Sequence, residues 1–186
     1  MAIGVSTASL FLRQYNEDSI VTLNELDARV CEVFLESFSE YEPEYGKLLL
    51  ERKGNLDVHS LHVVTMNFET ELFSVNLRAF KDAVVWFEKV LTVGKTLGAK
   101  CYTMHGRARI KPNGNYDDYK AAGERLEILC KIAEKYGISV CLENVSWAFC
   151  NYPDFFRNVK KYSEYLKATL DIKQARLSGY DYREYI

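Results

Sequence analysis

The sequence predicts an α/β domain with a parallel sheet, closed in the manner of a (β/α) barrel, of which it supplies about the first six strands. Three observations predict it. Short apolar strands alternate with amphipathic helices, and strand starts recur at roughly 30–40 residues, the mark of βαβ units. The first strand runs into "GVSTASLFLRQ", which lacks the G-x-G-x-x-G of an open dinucleotide-binding sheet, and no phosphate-binding P-loop follows. Polar residues close four successive apolar strands, as they do at the C-terminal mouth of a barrel. With no hairpin turn, low-complexity linker or solenoid-length repeat, residues 1–186 read as one domain.

The strands expected are Ile3–Ser6, Val30–Leu35, Val58–Val64, Cys101–His105, Ser139–Leu142 and Ala168–Leu170. The clearest helix follows the third. "VNLRAFKDAVVWFEKVLTVGKTLGAK" sets Leu77, Phe80, Val84, Phe87, Val90, Leu91 and Val93 near one broad face, and "LGAK" ends it with glycine. "DDYKAAGERLEILCKIAEKYGI" repeats the design, with Leu126, Leu129, Ile132 and Ala133 as the stripe and Gly137 as the stop. "NYPDFFRNVKKYSEYLK" is a third helix, Pro153 standing in its first turn.

Composition bounds the function. At 48% hydrophobic and 27% charged residues the 186-residue chain holds material for one sizeable core. Its net charge of -2, from 24 Lys plus Arg against 26 Asp plus Glu, argues against nucleic acid or an anionic membrane as partner. The five cysteines form no C-x-x-C pair, and Cys101 and Cys141 sit in apolar runs, which suggests a reducing compartment. "MAIGVSTASLFLRQ" has no basic n-region before a long apolar run, and no run approaches a membrane span. A cytoplasmic protein is expected.

The strand ends carry the chemistry. The third gives "VHSLHVVTM" with His62, and the fourth "CYTMHGRARI" with His105. The fifth gives "VCLENVSW" with Glu143, and the sixth "ATLDIKQA" with Asp171 and Gln174. Around one mouth, two imidazoles and two carboxylates are the ligand chemistry of a divalent metal. A carboxylate that ends an apolar strand needs a cation or several donors, so Glu143 is expected to meet a cation. Asp171 also stands where a residue could simply cap a helix. His59 faces away from His62 on a regular strand and reads as a structural hydrogen-bonder. Arg107, Arg109 and Lys111 allow a phosphate clamp, or merely a solvated loop. Trp147 could wall a sugar-sized pocket, or sit in the core or on its rim.

The succession "SLH", "MHG", "CLEN" and "TLDIKQA" resembles the xylose isomerase-like TIM barrel superfamily, which includes sugar phosphate isomerases and epimerases, xylose isomerases, inositol catabolism enzymes and the endonuclease IV type of nuclease. The resemblance implies that Glu143 and Asp171 bind a divalent metal (Mn²⁺, Mg²⁺, Co²⁺ or Zn²⁺) and that Glu143 is also an acid/base at the substrate carbon. It makes His62 and His105 pocket residues that touch substrate or, in the nuclease branch, zinc. Many members carry histidine where Gln174 stands. An amide ligates zinc poorly but bonds a sugar hydroxyl well, which favours a carbohydrate over abasic DNA. His62, His105, Gln174 and Trp147 are therefore expected to contact a sugar or sugar phosphate, with Glu143 catalytic.

Members of this superfamily continue through two more strands that complete the metal site, and an eight-stranded barrel takes about 200–250 residues. The sequence is thus expected to lack strands seven and eight, as a truncated form, a barrel completed by a partner, or a non-catalytic scaffold. Its first and sixth strands would be open edges, inviting association with a partner or a second copy.

Overall fold

The computed structural model describes residues 3–109 and 118–186. Among these residues six strands, β1 (Gly4–Ser6), β2 (Val30–Leu35), β3 (Asp57–Val63), β4 (Cys101–Met104), β5 (Ser139–Glu143) and β6 (Lys167–Thr169), form one sheet in chain order. Every pairing is parallel. A doubly wound sheet reverses its strand order at a switch point. Here the order never reverses, so each crossover lands on the next strand and the sheet is the arc of a (β/α) barrel, six strands long. Among the described residues no helix is long and apolar enough to cross a membrane.

Among the described residues six α-helices join or follow the strands: α1 (Asn16–Glu25), α2 (Pro43–Arg52), α3 (Leu77–Leu97), α4 (Tyr119–Glu134), α5 (Pro153–Val159) and α6 (Ile172–Leu177). The longest, α3, buries Phe87, Val90, Leu91 and Val93 of the expected stripe and Leu97 beyond it, while Phe80 and Val84 are half-buried and Leu77 at its start is exposed. The same core holds Val33 and Leu35 of β2 and Val58, Leu61 and Val63 of β3. Asn76 caps the first turn of α3 and Gly98, at φ 80°, closes its last. α4 is capped by Asp118; the Asp117 at which the sequence pattern begins lies outside the described residues.

Two local features depart from expectation. The third helix stops at Val159 and does not run on to Lys167: the chain turns at Lys160, whose ammonium donates to the carbonyl of Leu166 at 2.8 Å. In β3, Cys31 pairs with Val58 and Glu32 with Ser60, so His59 is an extra residue opposite β2. That bulge breaks the alternation assumed for a regular strand. His59 is exposed, with Nε2 3.8 Å from Cys101 Sγ.

Candidate metal and substrate site

Three strand ends place the site. His62 is the penultimate residue of β3, His105 directly follows β4, and Glu143 ends β5. These three offer ligand atoms that all lie within 4.8 Å of one another. Their side chains are 13%, 17% and 11% exposed, so water screens them little. Glu143 meets an imidazole: its Oε2 lies 3.0 Å from His105 Nε2. The imidazoles of His62 and His105 pack edge-on at 4.3 Å, and Trp147, 41% exposed, stands edge-on to His105 at 5.4 Å as part of the rim.

The surrounding residues hold these rings in place. Thr65 Oγ1 lies 2.7 Å from His105 Nδ1. The His105 backbone N–H donates to Glu69 Oε2, and the Tyr102 hydroxyl donates to Glu69 Oε1 at 2.6 Å. Complete burial pushes the Glu69 carboxyl up, against the lowering pull of His105 and its hydrogen bonds. Past His105 the chain needs a left-handed residue; Gly106 takes φ 79°, and a Cβ there would come within 2.5 Å of the Phe149 ring. Cys150 fastens the next loop, its thiol donating to the Glu143 carbonyl at 3.1 Å.

Beneath His62 lies Glu32. It accepts hydroxyl hydrogen bonds from Ser6, Ser60 and Thr103, and its Oε1 is 3.7 Å from His62 Nδ1. Burial alone would raise its carboxyl, but His62 and the serine hydroxyls outweigh that and hold it at about 2. Burial likewise would lower His62, yet Glu32 and the nearby charges of Glu69 and Glu143 raise it. His62 Nε2 is buried and has no hydrogen-bond partner among the described residues.

Asp171 and Gln174 are differently engaged. Asp171 is the N-cap of α6, its Oδ1 accepting from the Gln174 backbone N–H at 2.7 Å, and its own backbone is bonded both ways to the Asn144 amide. Gln174 Oε1 accepts from the Ser146 backbone N–H, which ties α6 to the loop that carries Trp147. Neither belongs to the three-residue group. Arg107 stacks 5.8 Å from the Phe149 ring, and the Arg109 backbone N–H bonds the Trp147 carbonyl; Lys111 of the expected clamp lies outside the described residues.

Sequence reasoning passed over Glu32, Glu69 and Thr65. Glu32 had a signal, a carboxylate in the middle of the apolar strand "VCEVFL". Glu69 and Thr65 sit in the segment between β3 and α3, where polar residues are ordinary.

The family model of the xylose isomerase-like TIM barrel matches residues 21–185. No curated protein matches the chain. Among solved structures, a D-tagatose 3-epimerase-like protein superposes with a TM-score of 0.75 at 22% identity, over 94% of this chain and 66% of that one. The D-psicose 3-epimerase of Clostridium cellulolyticum H10, solved with D-tagatose, gives 0.71 at 18%, over 95% and 65%. An L-ribulose 3-epimerase gives 0.71 at 12%, over 95% and 63%. At these identities the likeness is one of fold, and the chain spans about two thirds of the length of such proteins.

Proposed function

Because the chain belongs to the xylose isomerase-like TIM barrel family, we propose that it serves the metal-dependent isomerisation or epimerisation of a sugar or sugar phosphate. One observation carries the reading: His62, His105 and Glu143, from three adjacent strand ends, offer ligand atoms within 4.8 Å of one another, and Nε2 of His62 is buried with no partner among the described residues. A divalent cation suits that donor set, and two imidazoles with one carboxylate favour Zn²⁺, Co²⁺ or Mn²⁺ over Mg²⁺. Asp171, two residues beyond β6, would join them if its carboxylate left the cap of α6. The sugar epimerases that share the fold supply the substrate class.

When bound, the cation would polarise the hydroxyl and carbonyl oxygens of the sugar and stabilise the negative charge that develops there. Glu143 would take a proton from the adjacent carbon and return it, with Oε2 steadied by His105. Thr65 and Glu69 would hold His105 by its ring and its backbone, so that the imidazole keeps one orientation toward Glu143. Trp147 would cover an apolar face of the sugar, and Gln174 would fix the loop that presents it.

The test is elemental analysis of the purified chain beside Glu143→Gln, followed by turnover of D-tagatose and related ketoses. Wild type is expected to hold near-stoichiometric metal and the variant to lose it, with any epimerase rate falling about 10²-fold or more. A wild-type chain that takes up neither Co²⁺ nor Zn²⁺ would overturn the proposal. A nuclease would instead bind several metal ions and show salt-sensitive affinity for abasic duplex DNA.

A further inference from the structure

We infer that Glu32 is a positioning residue: it keeps the His62 ring proton on Nδ1, so that the buried Nε2 at the other end of the ring is unprotonated. The inference rests on the proposed metal site for its purpose, and on the geometry beneath that site for its substance.

Glu32 is the third residue of β2, on the face opposite the buried Val33 and Leu35. Its carboxylate is held from three strands. Ser6 of β1 donates to Oε1 at 3.0 Å; Ser60 of β3 and Thr103 of β4 donate to Oε2 at 2.9 and 3.2 Å. A carboxylate has about four acceptor positions and no proton to give. Three are filled by hydroxyls, and the remaining approach to Oε1 is taken by His62 Nδ1 at 3.7 Å. That distance exceeds a formed hydrogen bond, so the hold is electrostatic. A proton on Nδ1 is attracted to the carboxylate, whereas a lone pair there is repelled.

The other end of the ring reinforces the choice. Nε2 is buried without a partner. Were the proton on Nε2, the ring would present a buried unsatisfied donor at one end and a lone pair against a carboxylate at the other. With the proton on Nδ1, only an acceptor at Nε2 lacks a partner, and a cation is what such an acceptor takes. The Phe34 ring, edge-on to His62 at 5.1 Å, and His105 on another side limit the ring's freedom to swing out of this arrangement. The pattern is that of a carboxylate acting on a metal through histidine, where loss of the carboxylate weakens metal affinity about 10–100-fold.

Long-range ¹H–¹⁵N spectra of the metal-free chain at pH 8.5 read the tautomer directly, with His62→Gln to assign the ring. Wild type is expected to show the Nδ1–H form; Glu32→Gln should shift the ring toward Nε2–H and weaken Co²⁺ binding, read by titration, about 10-fold or more. Ser60→Ala keeps the carboxylate and should keep the tautomer. An Nε2–H ring in wild type overturns the inference whether or not the variant folds, and so does an unchanged tautomer in a folded Glu32→Gln. Wild type that shows Nδ1–H, lost in Glu32→Gln, but binds no Co²⁺ upholds the positioning role and overturns the metal reading alone.

Discussion

Tyr41 and Tyr102 have no exposed surface, and both phenols lie among carboxylates. Burial, with the charges of Glu40 and Glu69, pushes Tyr41 up to about 12, although the Asn67 amide donates to its oxygen at 2.7 Å. Tyr102, whose hydroxyl serves Glu69, is raised well above the ordinary phenol range. The sign follows from which state ionises first. Below pH 10 both the folded and unfolded phenols are neutral and nothing changes. From pH 10 through about 12 the unfolded chain loses its protons while the folded core keeps them, so stability falls. Two pKa units are worth about 3 kcal/mol for Tyr41 alone. Urea midpoints should drop above pH 10, less steeply in Tyr41→Phe than in wild type. Identical alkaline slopes in the two proteins would remove Tyr41 as the cause. The same residues mark the limit of sequence reading at this scale. That His62, His105 and Glu143 come together was legible because a polar group that ends an apolar strand has few reasons to be there. Glu69 was not, because its partner Tyr102 is 33 positions away and only the fold brings them together.

Elements were legible where their pattern is local. β2 was placed to the residue and the other five strands within one position at each end, since short apolar runs between amphipathic helices carry their own boundaries. α3 was equally plain because its apolar stripe and its terminal glycine agree. The length of α5 and the bulge at His59 were not, for both depend on tertiary pairing: a lysine reaching the Leu166 carbonyl, and a register shift against β2. Two glycines separate the local cause from the tertiary one. Gly98 has φ 80° and nothing within 4 Å of where a Cβ would lie, so Gly98→Ala should cost only the left-handed strain, about 1–2 kcal/mol. Gly123 is inside α4, where alanine is intrinsically preferred, but a Cβ there would fall 2.5 Å from the Tyr162 Cβ and 3.0 Å from the Val159 carbonyl oxygen. Neither neighbour is the far end of a flexible chain. The clash must part α4 from the end of α5, an overpacking cost of about 1–3 kcal/mol after the helix gains from alanine. Denaturant melts should show Gly98→Ala losing stability with the α4–α5 contact intact, and Gly123→Ala losing it together with the near-ultraviolet signal of the tyrosines there. A neutral or stabilising Gly123→Ala would show that this contact gives way freely.

At the scale of the whole molecule, the arc of six strands leaves two ends. Among the described residues β1 pairs only with β2, and β6 only with β5. An unpaired edge is a template for another strand unless a charge or a bulge guards it. The two edges are not equivalent. β6 begins with Lys167, a charge that a second strand would have to bury or displace. β1 is Gly-Val-Ser, with no charge, and Val5 and the neighbouring Ile3 are exposed. Association should therefore run through β1. The consequence reaches the site, because Ser6 on that same strand is one of the three hydroxyls that hold Glu32 beneath His62. Whatever covers β1 also steadies the floor of the candidate metal site. Sedimentation of the 186-residue chain across micromolar concentrations should show reversible self-association, abolished by Val5→Lys and unaffected by Lys167→Gln. Val5→Lys leaves Ser6 and Glu32 in place, so a loss of Co²⁺ affinity that tracks the loss of association would tie the edge to the site. A wild-type chain that stays monomeric throughout would mean that the short edge, three residues long, is too weak a template to pair.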